Sequence, residues 1–383
     1  MSLPETVAEP PAGLPGAVRV VGAGLLGTSL GLALRQQGVD VELSDPSPTA
    51  LALAADLGAG RPASPAAPGG AALVVVAAPP DVVAEVVAAE LAAAPDAVVT
   101  DLASVKAGPL KALQDKGIEL SRYVGSHPMA GRERSGAVAA RADLFAGRPW
   151  VVCAHPASSA AALAAVRSLA VTVGALPTEL DADAHDGAVA LVSHVPQVLA
   201  SLAAARLSRA SEGALALSGQ GLRDVTRIAA SDPALWTQIL GANAAAVGDV
   251  LRAVRADLDR VVEALEALAA ETAETPARGA RAAVAGLVAQ GNAGERRIPG
   301  KHGAPHTSYA VVPVLVPDRP GELARLLHDV GAAGVNLEDL RLEHSQGQPV
   351  GVAEVLVVPA AAPTLVSALQ ERGWTVHEAG RTL

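Results

Sequence analysis

An α/β unit, an all-α unit and a small α+β module, in that order, are predicted by three changes of rhythm along the chain. From Val18 to about Leu176 short, continuously apolar strands alternate with helical stretches. From about Asp183 to Ala270 nearly every segment has helical periodicity, and from Tyr309 the pattern becomes strand, helix, strand, strand, helix, strand. Continuous apolar strands suit a mostly parallel sheet covered on both faces. Long apolar helices suit a bundle completed by a partner subunit, and the last order is that of a ferredoxin-like βαββαβ module. The expected boundaries are a flexible leader over 1–17, a doubly wound sheet domain over 18–182, a helical domain over 183–292, a linker over 293–307 and the terminal module over 308–379.

Taken in order, MSLPETVAEPPAGLPG has neither a basic segment nor an apolar core and reads as a loose leader, not a signal peptide. VRVVG, VELSD, ALVVVAAPP, AVVTD, YVGS and PWVVC read as strands, with helices beginning near Leu25, Thr49, Asp81, Val105 and Ser158. The helical domain holds two long segments, around Gly187 to Leu207 and Pro233 to Leu268. Asp232 can cap the second, and Pro233 fits its first helical position. GNAGERRIPGKHGAPH, Gly291 to His306, is a turn-rich basic linker.

Bulk properties narrow the function. The chain of 383 residues is too long for one core. A formal charge of −10 with no basic run argues against nucleic acid as partner. Apolar runs are interrupted before about 18 residues, so no membrane partner is expected. The single cysteine, Cys153, ends a strand and reads as a buried thiol, with a reducing cytoplasm as the default location. The nine histidines show no metal-ligand spacing, so no metal is expected.

Gly22, Gly24 and Gly27 form GxGxxG between a strand and a helix. That spacing supplies a tight turn, close approach of a pyrophosphate and close helix–strand packing, with the Leu25 and Leu26 amides at the positive helix end. The second strand ends at Asp45, where a carboxylate would hold a ribose diol and repel an extra phosphate. NAD is the expected cofactor, bound to a Rossmann-type sheet.

DLASVKAG (Asp101 to Gly108), VGSHPMAGRERSG (Val124 to Gly136) and GLRDVTRIAASDPALW (Gly221 to Trp236) carry the candidate chemistry. The first two follow strands, where open sheets bind ligands. His127 can act as a base on a substrate hydroxyl while hydride leaves the same carbon; it can equally satisfy a turn before Pro128. Ser104 can orient that imidazole or cap a helix. Arg223, Asp224 and Arg227 can form a salt-bridged loop. Residues alone lead to an NAD-dependent oxidoreductase with a helical substrate domain.

GAGLLGTS, Asp45, DLASVKAG, GSHPMAGRERSG, HDGAVALVSHVPQ and RDVTRIAASDPALW, in this order, resemble the bacterial prephenate dehydrogenase family in the form with a C-terminal ACT domain. The resemblance covers Val18 to about Glu378. It implies a Rossmann domain, an all-α dimerisation domain forming a homodimer, and oxidative decarboxylation of prephenate to 4-hydroxyphenylpyruvate in tyrosine biosynthesis. It implies that His127 takes the ring hydroxyl's proton, that Ser104 supports it, and that Arg227 holds the ring carboxylate. Ser193, His194 and Trp236 then surround the substrate side chain. A tryptophan on an apolar helix also packs in cores, and His185 with Asp186 reads as structural. Many relatives read SHLPH where this chain reads SHVPQ, so Gln197 replaces a histidine associated with the pyruvyl group. Glutamine donates a hydrogen bond but carries no charge. L-Arogenate is therefore an alternative substrate. In the terminal module, Asp318, Arg319, Pro320 and Gly321, between the first strand and the first helix, and Asn336, where the second strand begins, match the ACT signature, which implies either tyrosine feedback or assembly alone. A non-catalytic NAD and amino-acid sensor is the third reading.

Overall fold

The first sheet explains its own sequence. In the computed structural model, which describes residue 14 and residues 16–63, 70–131, 136–299, 309–344, 350–377 and 380–381, strand β1 (Ala17–Val21) pairs in parallel with β2 (Val41–Ser44) and β4 (Ala71–Val76). Every side chain of Leu73 to Val76 is fully buried, although strand side chains alternate between faces. Leu73 and Val75 join Val18, Val20, Leu30 and Leu34 under α1 (Leu25–Gln36). Val74 and Val76 join Val83, Val87 and Leu113 under α3 (Val83–Ala93) and α4 (Ala107–Asp115). An apolar run without alternation is what two covered faces require.

With α2 (Pro48–Asp56), β3 (Arg61–Pro62), β5 (Val98–Asp101), β6 (Tyr123–Pro128), β7 (Pro149–Cys153), α5 (Ala160–Thr172) and β8 (Leu176–Glu179), the sheet has the order β3-β2-β1-β4-β5-β6-β7-β8. The order reverses between β1 and β4, which opens a crevice at their carboxyl ends. β7 runs antiparallel to β6 because no crossover helix joins them, and all other pairs are parallel. The short strands β3 and β8 were not expected; Arg61–Pro62 and Leu176–Glu179 lack the apolar run that marks a central strand.

The helical segment departs from expectation in two places. α6 (Ala182–Val189) continues through a π-helical turn (Ala190–His194) into α7 (Val195–Leu207), so the first long segment begins earlier than Gly187. The wide turn follows from Pro196, whose ring cannot donate a hydrogen bond and would clash with the carbonyl four residues back; the Val195 amide instead reaches Ala190 O. Ala182–Leu207 is also one helix long and apolar enough to cross a membrane by length and composition, which the interrupted runs did not suggest. After α8 (Glu212–Leu215) and α9 (Gln220–Thr226), the second long segment is two helices, α10 (Pro233–Ala242) and α11 (Ala244–Ala269), broken at Asn243. Asp232 caps α10 by accepting from the Ala234 and Leu235 amides, as its position before Pro233 predicts. α12 (Ala280–Glu295) carries helix through Gly291 to Glu295, into the expected linker, because extending a helix is far easier than starting one.

The chain divides into two compact units, Met1–Arg255 and Ala256–Leu383, the boundary falling inside α11. The second unit contains β9 (Ala310–Pro317), α13 (Glu322–Ala332), β10 (Asp339–His344), β11 (Val350–Val357), α14 (Ala362–Glu371), β12 (Thr375–Val376) and β13 (Gly380–Arg381). Its antiparallel sheet has the order β10-β11-β9-β12, the arrangement of a ferredoxin-like βαββαβ module. Residues 1–13 and 15 of the leader, 300–307 of the linker, 308, 345–349 and 378–379 of the terminal module, and Arg132, Glu133, Arg134 and Ser135 of the histidine loop lie outside the described residues.

A buried charge pair ties the first sheet to α4. Lys106, 1% exposed, forms an ion pair with Asp101 and donates to Ser126 O at 2.8 Å. Asp101 also accepts from Tyr123 Oη at 2.8 Å and from the Ala103 amide at 2.9 Å. Burial, then the Asp101 charge, push the Tyr123 phenol well above its ordinary range, so it stays a neutral donor. Lys106→Met would leave Asp101 buried without its counter-charge. It is expected to destabilise the fold by about 3–5 kcal/mol in urea unfolding, and a loss below about 1 kcal/mol would show the pair is dispensable.

Candidate active site

The turn after β1 is shaped by backbone crowding. Gly22 has φ 112°, and a Cβ there would lie 2.4 Å from Ala77 O on the neighbouring strand end. A Cβ on Gly27 would meet Gly22 O at 1.9 Å, so the helix can pack against the turn only without a side chain. Gly24 is different: a Cβ would find nothing within 4 Å. Its open side faces no protein, and no side chain caps α1. The first intrahelical bond is donated by Thr28 to Gly24 O, which leaves the Leu25, Leu26 and Gly27 amides without partners among the described residues. An open glycine below free helix-terminal amides fits a pyrophosphate. Asp45 lies beside this turn, accepting from the Ala23 amide and the Ser47 amide, each at 2.7 Å. Each carboxylate oxygen has a second lone pair, so the diol role expected for Asp45 stays compatible with both bonds.

His127 lies at the carboxyl end of β6, the same edge of the sheet as the glycine turn. Its Nδ1 is 2.9 Å from His185 Nε2, and the rings meet edge to face. His185, fully buried on α6, places Nδ1 2.8 Å from Asp186 Oδ1. Asp186 accepts from the Lys106 amide at 2.8 Å and the Ala107 amide at 2.9 Å, and so caps α4 from another element. Ser104 does not cap that helix, which starts later than Val105 and takes Asp186 instead; Ser104 is half-buried in the loop after β5. His127 Nε2 has no hydrogen bond among the described residues.

A second group grows from the same helix. Asn243 donates to Asp186 O at 2.8 Å, and its amide nitrogen is 3.2 Å from His194 Nδ1. The π-helical turn directs His194 inward and leaves Leu191 and Val192 exposed. Trp236 is half-buried and stands edge-on to His194, ring centroids 6.1 Å apart. Gln197 is buried, its amide nitrogen 3.4 Å from Ser201 Oγ and its oxygen 3.4 Å from Ser231 Oγ. Ser193 is half-buried within the turn. Arg227 is exposed in a 3₁₀ turn after α9 and has no ion-pair partner among the described residues, so the expected salt-bridged loop does not include it. Of the expected residues, then, His127, His194, Trp236 and Gln197 are held in place, while Ser104, Ser193 and Arg227 make no described bond.

Two imidazoles of the site, His127 and His194, are held toward the neutral form. Burial first, then the neighbouring His185, Lys106 and His194, hold the His127 pKa well below its ordinary value. Burial, with His185 adding, lowers His194 against the opposing pull of Asp186. Cys153 is inert: burial pushes its thiol up to about 12. Sequence reasoning missed Asn243, which stands in an alanine-rich helical run that gives no sign of a break, and underrated His185 and Asp186. The one signal was the polar pair HD at the head of an apolar helix.

Two family models match the chain: the prephenate dehydrogenase nucleotide-binding domain over residues 30–177 and the prephenate dehydrogenase dimerization domain over residues 181–275. The probable prephenate dehydrogenase NovF of Streptomyces niveus is 40% identical over 360 residues, which covers 94% of this chain and 98% of that protein. The crystal structure of prephenate dehydrogenase from A. aeolicus, in complex with hydroxyphenyl propionate and NAD+, is 25% identical with a TM-score of 0.63, covering 74% of this chain and 98% of that one. A putative prephenate dehydrogenase from Corynebacterium glutamicum is 28% identical with a TM-score of 0.62, covering 74% and 89%.

The two glycines separate packing from ligand contact. Gly27→Ala is expected to lower the melting temperature, since Gly22 O must move. Gly24→Ala should leave stability within about 0.5 kcal/mol yet weaken NAD binding about tenfold (~1.4 kcal/mol) in a fluorescence titration. Equal NAD affinity in Gly24→Ala and the unaltered protein would remove the turn from the cofactor site.

Proposed function

The chain belongs to the prephenate dehydrogenase family, and on that premise we propose how its residues carry out NAD-dependent oxidative decarboxylation of prephenate to 4-hydroxyphenylpyruvate, CO2 and NADH. The observation that carries the reading is His127: a neutral imidazole whose Nε2 has no partner among the described residues, at the sheet edge that also holds the glycine turn. When bound there, NAD supplies the hydride acceptor. His127 Nε2 takes the ring hydroxyl's proton as the carbinol C–H bond gives up hydride and the C–O bond becomes a carbonyl. Loss of the ring carboxylate as CO2 returns the electron pair through the ring to that oxygen. His127 then gives the proton back to the phenolate, so no net proton is consumed. Aromatisation drives the sequence, which leaves alignment and charge control to the protein.

Arg227, exposed and without an ionic partner among the described residues, is assigned to the ring carboxylate through paired guanidinium donors. Ser104 supports the hydroxyl contact, and Ser193, His194, Gln197 and Trp236 frame the side chain of the substrate. Gln197 supports no ammonium-binding site: it is uncharged, and its amide lies nearest to the Ser201 and Ser231 hydroxyls. Prephenate is therefore preferred over L-arogenate.

The functional unit is a homodimer formed through the helical domain. Exposed Leu191, Val192, Leu199 and Leu202 on α6–α7 supply an apolar face for it. The second unit is read as an ACT domain whose effector is tyrosine. Asp318, Arg319 and Pro320 are exposed in the loop before α13, Gly321 takes φ 90° at its start, and Asn336 donates to Glu338 at 2.9 Å ahead of β10, not at the strand's first residue as expected.

NADH formation measured with NAD and either prephenate or L-arogenate tests this directly. Prephenate is expected to be the better substrate, and His127→Asn to lower kcat by about 10²–10⁴-fold. Because the His127 pKa is depressed, the base is already neutral at pH 7. Activity should therefore fall only as pH drops well below about 6.5. Preference for arogenate would overturn the substrate assignment, and an acidic limb above pH 7 would remove His127 as the base.

A further inference from the structure

Three groups outside the substrate-facing set are buried, polar and joined to His127 in series: His185, Asp186 and the first amides of α4. We infer that His185, held by Asp186, is the positioning residue that sets the tautomer of His127 and leaves its Nε2 lone pair facing the cleft. The inference rests on the prephenate dehydrogenase reading for its kinetic consequences, while the tautomer itself can be observed without substrate.

The argument follows the direction of each hydrogen bond. Asp186 receives the Lys106 amide on Oδ1 and the Ala107 amide on Oδ2, at the positive end of α4. A carboxylate whose two oxygens both face amide donors acts here as an acceptor only. The His185 Nδ1 that lies 2.8 Å from Oδ1 must then carry a proton. In a neutral ring this makes His185 Nε2 an acceptor. His127 Nδ1, 2.9 Å away, must donate to it, and the remaining nitrogen, Nε2, holds the lone pair. A base on a substrate hydroxyl needs that tautomer and no other. The geometry leaves His185 little freedom, since its ring is fully buried and the Asp186 carbonyl is itself bound by Asn243. The charged and titratable groups around His127 are His185, Lys106 and His194, and around His194 they are Asp186 and His185. The same carboxylate therefore caps a helix of the sheet domain and orients the base from the helical segment.

Two substitutions at one position separate positioning from packing. Asn at position 185 places an amide where Nδ1 was and keeps the bond to Asp186, but it offers nothing to His127. Gln reaches the site of Nε2 and can accept from His127 while loosening the bond to Asp186. His185→Asn is expected to lower kcat by about 10²-fold or more, with the KM for prephenate changed less than about twofold. His185→Gln should recover a substantial part of kcat. A purely structural role predicts the opposite ranking, because the Asp186 bond is the one that holds the fold. Long-range ¹H–¹⁵N correlation spectra of ¹⁵N-histidine-labelled full-length protein with NAD bound read the tautomer directly, with His127 assigned by its loss in His127→Asn. A protonated Nδ1 and unprotonated Nε2 on His127 are expected. A proton on Nε2, or kcat in His185→Asn within twofold of the unaltered protein, would overturn the inference. If the unaltered protein made no NADH from prephenate, the function reading would fail, and the spectrum would still decide the tautomer.

Discussion

One carboxylate organises the site. Asp186 closes the amino end of α4, orients His185 and, through its own carbonyl, holds Asn243. Each bond to the carboxylate contributes on the order of 1–3 kcal/mol, and the Asn243 bond to the neutral carbonyl about 1 kcal/mol. Their value lies in convergence, because a single residue sets the relation between the loop after β5, helix α6 and the break between α10 and α11. His127, at the end of β6, meets that junction through His185.

Around it, charge is placed so that the His127 ring stays uncharged. Lys106 is satisfied by Asp101 and by a β6 carbonyl instead of by the active-site imidazoles, and its positive charge then works against protonation of His127. Burial acts in the same direction. Arg227, proposed above for the ring carboxylate, is by contrast exposed in the turn after α9. His127 is thus held neutral, while Arg227 stands exposed.

The backbone irregularities have identifiable causes. Pro196 forces the wide turn that sends His194 inward, where an unbroken α-helix would have directed a different residue. Asn243 interrupts an otherwise continuous helical run because its side chain is drawn to Asp186 and His194. In both cases a poor helix residue sits where two polar groups meet.

Much of this was legible in the sequence. The strand–glycine–helix opening, the acidic end of β2, the cap at Asp232 and the βαββαβ order depend on neighbouring residues, and local patterns report local geometry faithfully. The identity of the candidate base was also legible, since His127 follows a strand whose carboxyl end must face the crevice. Which nitrogen of His127 faces a partner was not legible, nor was the partner of Lys106, nor the cap of α4, which local reasoning assigned to Ser104. Those depend on His185 and Asp186, far along the chain, and only folding brings them to β6 and α4. The sequence by itself determined the elements and the chemical groups, because periodicity and turn chemistry act within a few residues. The tertiary structure alone decided the partners and burial of those groups, because these are properties of neighbours in space.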